Sequence, residues 1–405
     1  MPPPPPSLAH DRDFRLITGA VAVSAFGDWV AIVALGLQVK EMTGSGWAMA
    51  LLWICLFGPS VAAAGHAGWL VDRVETTRLL AGTCAVGTLV AVAAGFAGTT
   101  VVLFGCTAVL GLVLAISQPA EFALVPSIAG RDRVQDANGR IESARFIGFG
   151  LGPLLGALLF TLGGPQLAMA VDGATFAAVA GAALALRVRR EPRPAEQEAR
   201  LRARDGITSL VGDPVLSLVM LVAFGSLCFM SAIWVAEVFF VDDVLEEGRL
   251  TYGLWLSLWT AGMALGALLV ARKVAAGALA VTGLAAVVVQ GTALAAPAAW
   301  LALGLFLACA VVGGVAHGVK NVMFRSLIHL RVPDALHGRA FAGYNALRNA
   351  AELGAFAAGG VLVTTIGPRL TLGYAGGLSA LVGLAGLAVC VRRSGPAPVV
   401  AAATA

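Results

Sequence analysis

Charge is scarce in this 405-residue chain: Asp, Glu, Lys and Arg make up only 12% of it, about half of what a soluble globular domain carries. With 59% hydrophobic residues and a mean hydropathy of +0.87, that scarcity excludes a water-facing surface over most of the molecule. A polytopic membrane protein is what remains. Paired cysteines are missing as well. Cys55, Cys84, Cys106, Cys228, Cys309 and Cys390 each stand alone in an apolar run, which reads as small buried hydrophobes rather than a disulfide framework or a metal site. No glycine-rich loop leads into a lysine as a phosphate cradle would require, so ATP is not expected as a direct driver and no cofactor is implied. The net charge of +4 is spread over turns, which argues against nucleic acid as a partner. Residues 1–13 open with a proline run and lack the basic start and apolar core of a cleavable leader. They are expected to be a disordered tail before a retained first span.

What the chain has in abundance is long apolar runs. They fall at 14–39, 47–67, 79–96, 99–117, 141–162, 167–186, 215–241, 252–271, 276–296, 298–316, 341–366 and 370–391. A helix needs roughly 20 apolar residues to cross a bilayer, so the expected fold is an all-α integral membrane protein with twelve transmembrane helices. The 50 glycines suit backbones that approach closely in lipid. Basic residues collect on one side: Arg73 and Arg78; Arg131, Arg133 and Arg140; the run after Leu186; Arg272 and Lys273; Lys320, Arg325, Arg331 and Arg339. The other side has only Lys40, Arg249 and Arg369. The positive-inside rule then puts both termini in the cytoplasm, and a bacterial inner membrane is the expected location.

The longest polar stretch, 187–213, splits the chain into halves at 14–186 and 214–391, with a tail at 392–405. Within the stretch, 195–210 reads either as an amphipathic helix on the inner leaflet or as a solvated linker. The halves repeat. Residues 118–140, QPAEFALVPSIAGRDRVQDANGR, align without gaps to 317–339, HGVKNVMFRSLIHLRVPDALHGR; Gly164-Pro165 and Gly367-Pro368 follow in order. A duplication of six spans is the trace of a transporter built from two pseudo-symmetric six-helix bundles around a midplane site.

The stretch after the second run reads Gly68-x-x-x-Asp72-Arg73, and the fifth run reads Gly148-x-x-x-Gly152-Pro153-x-x-Gly156-Ala157. Over its full length the chain resembles the major facilitator superfamily, whose loop signature ends in Gly-Arg-Arg. Here Glu75, Thr76 and Thr77 depart from it, and Arg78 supplies the basic residue late. The resemblance implies a cytoplasmic gate involving Gly68, Asp72, Arg73, Arg78, Glu121, Arg140 and Arg339. Asp72 is expected against the start of span eleven near Gly338-Arg339, and Arg73 near Glu121 or Asp132. Gly148, Gly152, Pro153 and Gly156 resemble the family's antiporter element, which implies export. Span one (Ser24 to Trp29) and the sequence from Asp172 to Phe176 look like the branch containing macrolide and enterobactin efflux permeases.

Ionisable side chains at bilayer depth are costly, so they face a cavity or a partner. The candidates are Asp28, Arg145, Asp172, Glu237, Arg348 and Glu352, with Asn345 beside Arg348. Arg348 and Glu352 are spaced i, i+4, and Glu142 and Arg145 i, i+3, so each pair either serves the cavity or neutralises itself. Asp172 is expected to pack between helices. Asp28 and Glu237 have no local partner, which is what a proton carrier needs. Trp29, Trp234, Phe239, Trp255 and Trp259 read as a cavity lining or as interfacial belts. His66, His317, His329 and His337 are expected near the cytoplasmic ends, and the acidic run from Asp242 to Glu247 has no visible partner. The expected function is a monomeric, non-enzymatic secondary transporter that exports small amphipathic molecules against protons by alternating access. An importer of a specific metabolite or siderophore and a non-transporting receptor are the alternatives.

Overall fold

Hydrocarbon offers no partner for a bare peptide group, so a chain this apolar satisfies its backbone within helices. A computed structural model describes residues 8–130, 133–190, 208, 210–333 and 336–393, and helix is the regular structure it shows there. Helix α1 (Arg12–Thr43) starts at Asp11, whose side chain accepts from the Phe14 N–H, and stops at left-handed Gly44. It is followed by α2 (Gly46–Arg73), α3 (Thr76–Gly95) and α4 (Thr100–Ala129). Next comes a 52-residue helical stretch, Val134–Ala185. Unbroken, it would run about 78 Å at 1.5 Å per residue, more than twice the ~30 Å of hydrocarbon. It breaks at Gly163 and Gly164, the latter at φ 66° where a side chain is disfavoured. The result is α5 (134–162) and α6 (165–185).

The second half repeats this plan: α7 (Pro214–Phe239), α8 (Arg249–Leu265), α9 (Leu279–Ala299) and α10 (Leu303–Arg331). The last stretch, His337–Arg393, breaks at Gly367 with φ 81° into α11 (337–366) and α12 (368–393). Twelve rods result among the described residues. The pairings are pseudo-symmetric: α1 lies on α5 and α6 as α7 lies on α11 and α12, α3 on α6 as α9 on α12, and α2 on α4 as α8 on α10. The halves meet through α5 on α8 and α2 on α11.

Three boundaries differ from expectation, one being the end of span four, which runs on to Ala129 rather than stopping at residue 117. The stretch from Gly68 to Arg78 is not an extended turn: α2 stays helical through Arg73 and only Val74 and Glu75 separate it from α3. Glu75 makes this possible by capping α3, accepting from the N–H groups of Thr77 and Arg78. Span ten does not stop near residue 316 but continues to Arg331. Its polar residues His317, Lys320, Asn321 and Arg325 recur at i, i+3, i+4 and i+8, so they share one helix face and do not end the helix. The proline run, the 195–210 segment except for Thr208 and Leu210, Asp132 and the tail beyond residue 393 lie outside the described residues.

Candidate functional site

A cavity of about 740 Å³ separates the halves, within the size range of ligand sites. Its roof is aromatic. Trp29 of α1, Trp53 and Phe57 of α2, and Trp234 of α7 form one cluster, with Trp234 5.9 Å from Trp29 and 5.8 Å from Trp53 between ring centres. Phe356 of α11 stacks on Phe57 at 5.9 Å, and the Trp53 indole N–H donates to the Trp234 carbonyl at 3.2 Å. A second wall is formed by Trp255 and Trp259 of α8, with Trp259 against His317. Phe239, read from sequence as cavity lining or interfacial belt, is buried behind the lining, under the Lys40 ammonium.

Above this roof the halves are clasped on the face opposite the basic turns. Lys40 at the end of α1 pairs with Asp242 and, at 3.0 Å, with Asp243 beyond α7. Arg249 at the start of α8 pairs with Glu41 and lies over the Phe160 ring. The acidic run from Asp242 therefore has partners after all. These are the ion pairs that join the halves among the described residues. On the basic face, the ion pairs among the described residues each stay within one half, and the cavity mouth lies there, between Gln118, Phe122 and Glu142 on one side and Arg325 and Asn345 on the other. The chain is therefore open toward its basic face and closed at the other.

Of the residues expected to form a gate at that mouth, all but Arg339 belong to the first half, and those with a partner described find it there. The Asp72 carboxylate accepts from Arg190 at 2.7 Å; the α2–α11 approaches bring Gly58 toward Leu353 and Gly360 onto Ala50 and Gly46. Arg190 also donates to the Val71 carbonyl and to Thr76 Oγ1, and Arg189 donates to Thr77 Oγ1. The residues that depart from the loop signature thus have work of their own: Glu75 caps α3, and Thr76 and Thr77 take arginines delivered from the end of α6. Arg73 stacks on Trp69 and Arg78 is exposed beside Glu75. Arg140 pairs with Asp136 at 3.0 Å. Glu121 is buried and meets Arg145 at 3.9 Å, not Arg73. Gly68 lies within α2 and Arg339 within α11. Glu75 itself is subject to opposing effects: burial pushes its carboxyl up, but the bonds from Thr77 and Arg78, with Arg189 nearby, prevail and hold it below the usual range.

The glycine-proline element sets two interfaces at once. A Cβ on Gly148, Gly152 or Gly156 would fall within 3.0 Å of α1 backbone or Trp29, so this stripe seats α5 directly on α1. Pro153 lacks an N–H, which leaves the Phe149 carbonyl without its helical donor. Thr260 of α8 donates to that carbonyl at 2.8 Å, and Ser257 of α8 accepts the Leu154 N–H at 3.0 Å. Backbone groups freed by the proline are thus satisfied across the boundary between the halves.

The charged groups expected in the cavity line it: Asp28, Arg145, Asp172, Glu237, Arg348, Glu352 and Asn345. Arg145 bridges Glu142 at 3.7 Å and Glu121 at 3.9 Å, and Arg348 is held by Glu352 at 2.8 Å. Asp172 packs against α1 at Gly27, as expected, and its Oδ1 has no hydrogen-bond partner among the described residues; the same holds for Glu237 Oε1. His317 departs from expectation. It sits midway along α10 in the cavity wall rather than at a helix end, with its Nδ1 3.1 Å from Gln290 Nε2. Lys320, Asn321 and Arg325 lie on the same face, and hydropathy alone does not reveal them, because the apolar run ends where they begin. Their i, i+3, i+4 spacing was the available signal.

The family model described as Major Facilitator Superfamily matches residues 17–276. The lysophospholipid transporter LplT of Serratia proteamaculans (strain 568) is 24% identical over 161 residues, a match spanning 38% of this chain and 38% of that protein. A crystal structure of the nucleoside transporter NupG superposes with a TM-score of 0.72 at 16% identity, covering 93% of this chain and 99% of that one. The structure of a bacterial homologue of the human lysosomal transporter Spinster, inward-facing and unoccupied, gives a TM-score of 0.68 at 14% identity over 94% of each chain.

Proposed function

The chain belongs to the Major Facilitator Superfamily, and on that footing we propose that this multi-pass membrane transporter exports small amphipathic molecules from a bacterial cytoplasm by alternating access, in exchange for protons. The observation that carries the reading is the cavity itself: aromatic on its roof and walls, charged at its mouth, and closed at one end by ion pairs that a rocking motion of the halves can break. Assigning the basic face to the cytoplasm follows from the arginine-rich turns and makes this the substrate-loading conformation. Asp28 and Glu237 are the proton carriers in this reading. Each lines the cavity, and neither has an ion-pair partner within 4 Å among the described residues. The protein works as a monomer, because both bundles and the whole cavity come from one chain. Export is supported by the Gly148–Gly156 element, which ties α5 to α1 and to α8 together. The resemblance to macrolide and enterobactin permeases finds no echo in the relatives above, so the substrate class rests on cavity chemistry.

A second reading of the substrate comes from the LplT likeness: a lysophospholipid is itself a single-chain amphiphile that would suit this cavity. The test is efflux of preloaded fluorescent amphiphiles from cells expressing the protein, with and without a protonophore. Faster efflux that the protonophore abolishes supports the proposal. Uptake rather than efflux, or efflux indifferent to the protonophore, counts against it.

A further inference from the structure

A side chamber opens from the main cavity between α7, α10 and α11. It has about 30 Å³ of free space, room for the oxygens of one headgroup rather than for a whole ligand. Its polar lining is His317, Lys320, Asn321, Tyr344, Arg348 and Glu352, and four of these (His317, Asn321, Arg348 and Glu352) also line the main cavity. The chamber is therefore continuous with the space a substrate would occupy.

Its charges do not cancel. Arg348 is neutralised by Glu352, to which it donates twice, at 2.8 and 3.0 Å. Lys320 is only 7% exposed, within a membrane-spanning helix, and no carboxylate lies within 4 Å of its ammonium among the described residues. Its polar neighbour is His317 Nδ1 at 3.4 Å. The Gln290 side-chain amide lies 3.1 Å from the same nitrogen; an ammonium can only donate, so toward Lys320 Nδ1 is the acceptor. Lys320, when protonated, adds one positive charge to the self-neutralised Arg348–Glu352 pair, and its burial disfavours that charge until an anion enters. A buried cation without a counter-ion is costly, and an anionic ligand group is what would complete the chamber.

The other half has the opposite sign. The repeat places Glu121 where the second half has Lys320, 199 positions later. Glu121 is buried at 3% exposure, and Arg145 is its cationic partner. Asp28, Glu142 and Asp172 line the cavity on the same side. The first half thus lines the cavity mainly with carboxyl groups, whereas the second sets Lys320 and Arg348 of the chamber beside only Glu237 and Glu352.

We propose that this chamber is an anion subsite: it takes the carboxylate or phosphate monoester headgroup of an amphipathic substrate whose apolar body lies along the Trp234, Phe57 and Phe356 aromatic wall. The inference rests on the transporter reading above and narrows its substrate class to acidic amphiphiles. Lys320 and Arg348 bind the anion directly; Glu352 and Gln290 hold Arg348 and His317 in place as positioning residues.

The test is calorimetric binding to the full-length protein in phosphatidylcholine nanodiscs. The probes are 1-naphthoate, 1-naphthyl phosphate, 1-naphthylmethylammonium and inorganic phosphate. The expected result is that both naphthyl anions bind at least tenfold tighter than the naphthyl cation. Lys320→Met should erase that preference while changing cation affinity less than threefold, and Lys320→Arg should keep it. An anion preference that survives Lys320→Met, equal affinity for cation and anion, or no binding by either anion overturns the proposal. Inorganic phosphate binding as tightly as 1-naphthyl phosphate overturns the amphiphile part, since the chamber would then serve a free anion. The two readings fail separately. Lys320-dependent anion binding with no efflux of any amphiphile removes the exporter and leaves the subsite. Efflux of anionic amphiphiles unchanged by Lys320→Met removes the subsite and leaves the exporter.

Discussion

Replacing Lys40 and Arg249 together by methionine should open the closed face. The double variant removes the pairs to Asp242, Asp243 and Glu41 and retains side chains of similar length. The magnitude follows from exposure. The carboxylates are 60%, 53% and 45% exposed and Arg249 is 45% exposed, while Lys40 is only 10% exposed. Solvent-exposed pairs contribute about 0.2–1 kcal/mol each, so the three sum to roughly 0.6–3 kcal/mol. At about 1.4 kcal/mol per tenfold, the population open to that face should rise by roughly 3- to 150-fold. Spin labels on Met42→Cys and Glu246→Cys in a cysteine-free background report the separation of α1 from α7 at that face. The double variant should shift weight from the short to the long distance. Adding salt should do the same to the unsubstituted protein, because such pairs are screened within a Debye length of about 8 Å at physiological ionic strength. Distance distributions that differ by less than threefold in population, with and without the clasp, would refute the idea that these pairs hold the closed state.

Further outcomes follow from the same geometry. Thr260→Val leaves the Phe149 carbonyl without its cross-half donor, so it should destabilise the state open to the basic face by about 1–3 kcal/mol; the same label pair reads this, and an unchanged distribution would contradict it. Gly152→Leu drives a side chain into Trp29 and the α1 backbone, and overpacking of this kind costs about 1–3 kcal/mol, so the melting temperature in detergent should fall. Asp213 is the cap of α7. Burial pushes its carboxyl up, but the N–H groups of Leu216 and Val215 and the Arg331 guanidinium outweigh this and hold it below the usual range. A depressed carboxyl adds stability that is present above its unfolded pKa and lost as pH falls through its folded value. With Glu75 behaving in the same way, thermal stability should drop below about pH 4; Asp213→Asn should lower stability at neutral pH and flatten the acid limb, and an unchanged limb would rule this out. Asp28→Asn and Glu237→Gln should each weaken the pH dependence of efflux, and full-rate, unchanged transport in both would remove them as carriers.

The sequence made the fold readable because hydrocarbon imposes a single rule, and runs of roughly 20 apolar residues mark the rods even where helices join through Gly164 and Gly367. It was less informative wherever a helix carries polar residues on one face only. Lys320 and His317 were assigned to a helix end because a hydropathy window averages over all faces, while burial acts on each face separately. A motif names residues but not the conformation in which they meet, and Asp72 has an arginine of its own half, Arg190, to pair with while the mouth is open. The clasp at Lys40 was not legible at all, since its five charges become partners only when the helices bring α1, α7 and α8 together.

The central claim is that one cavity is exposed alternately to the two faces, and a disulfide across the clasp tests it most directly. Lys40→Cys with Asp243→Cys, in the cysteine-free protein reconstituted into vesicles, should form a bond on oxidation. The account predicts that oxidation abolishes amphiphile transport and that reductant restores it, while binding from the basic face persists throughout. Transport that continues at the reduced rate or faster with the bond formed would contradict alternating access through this opening.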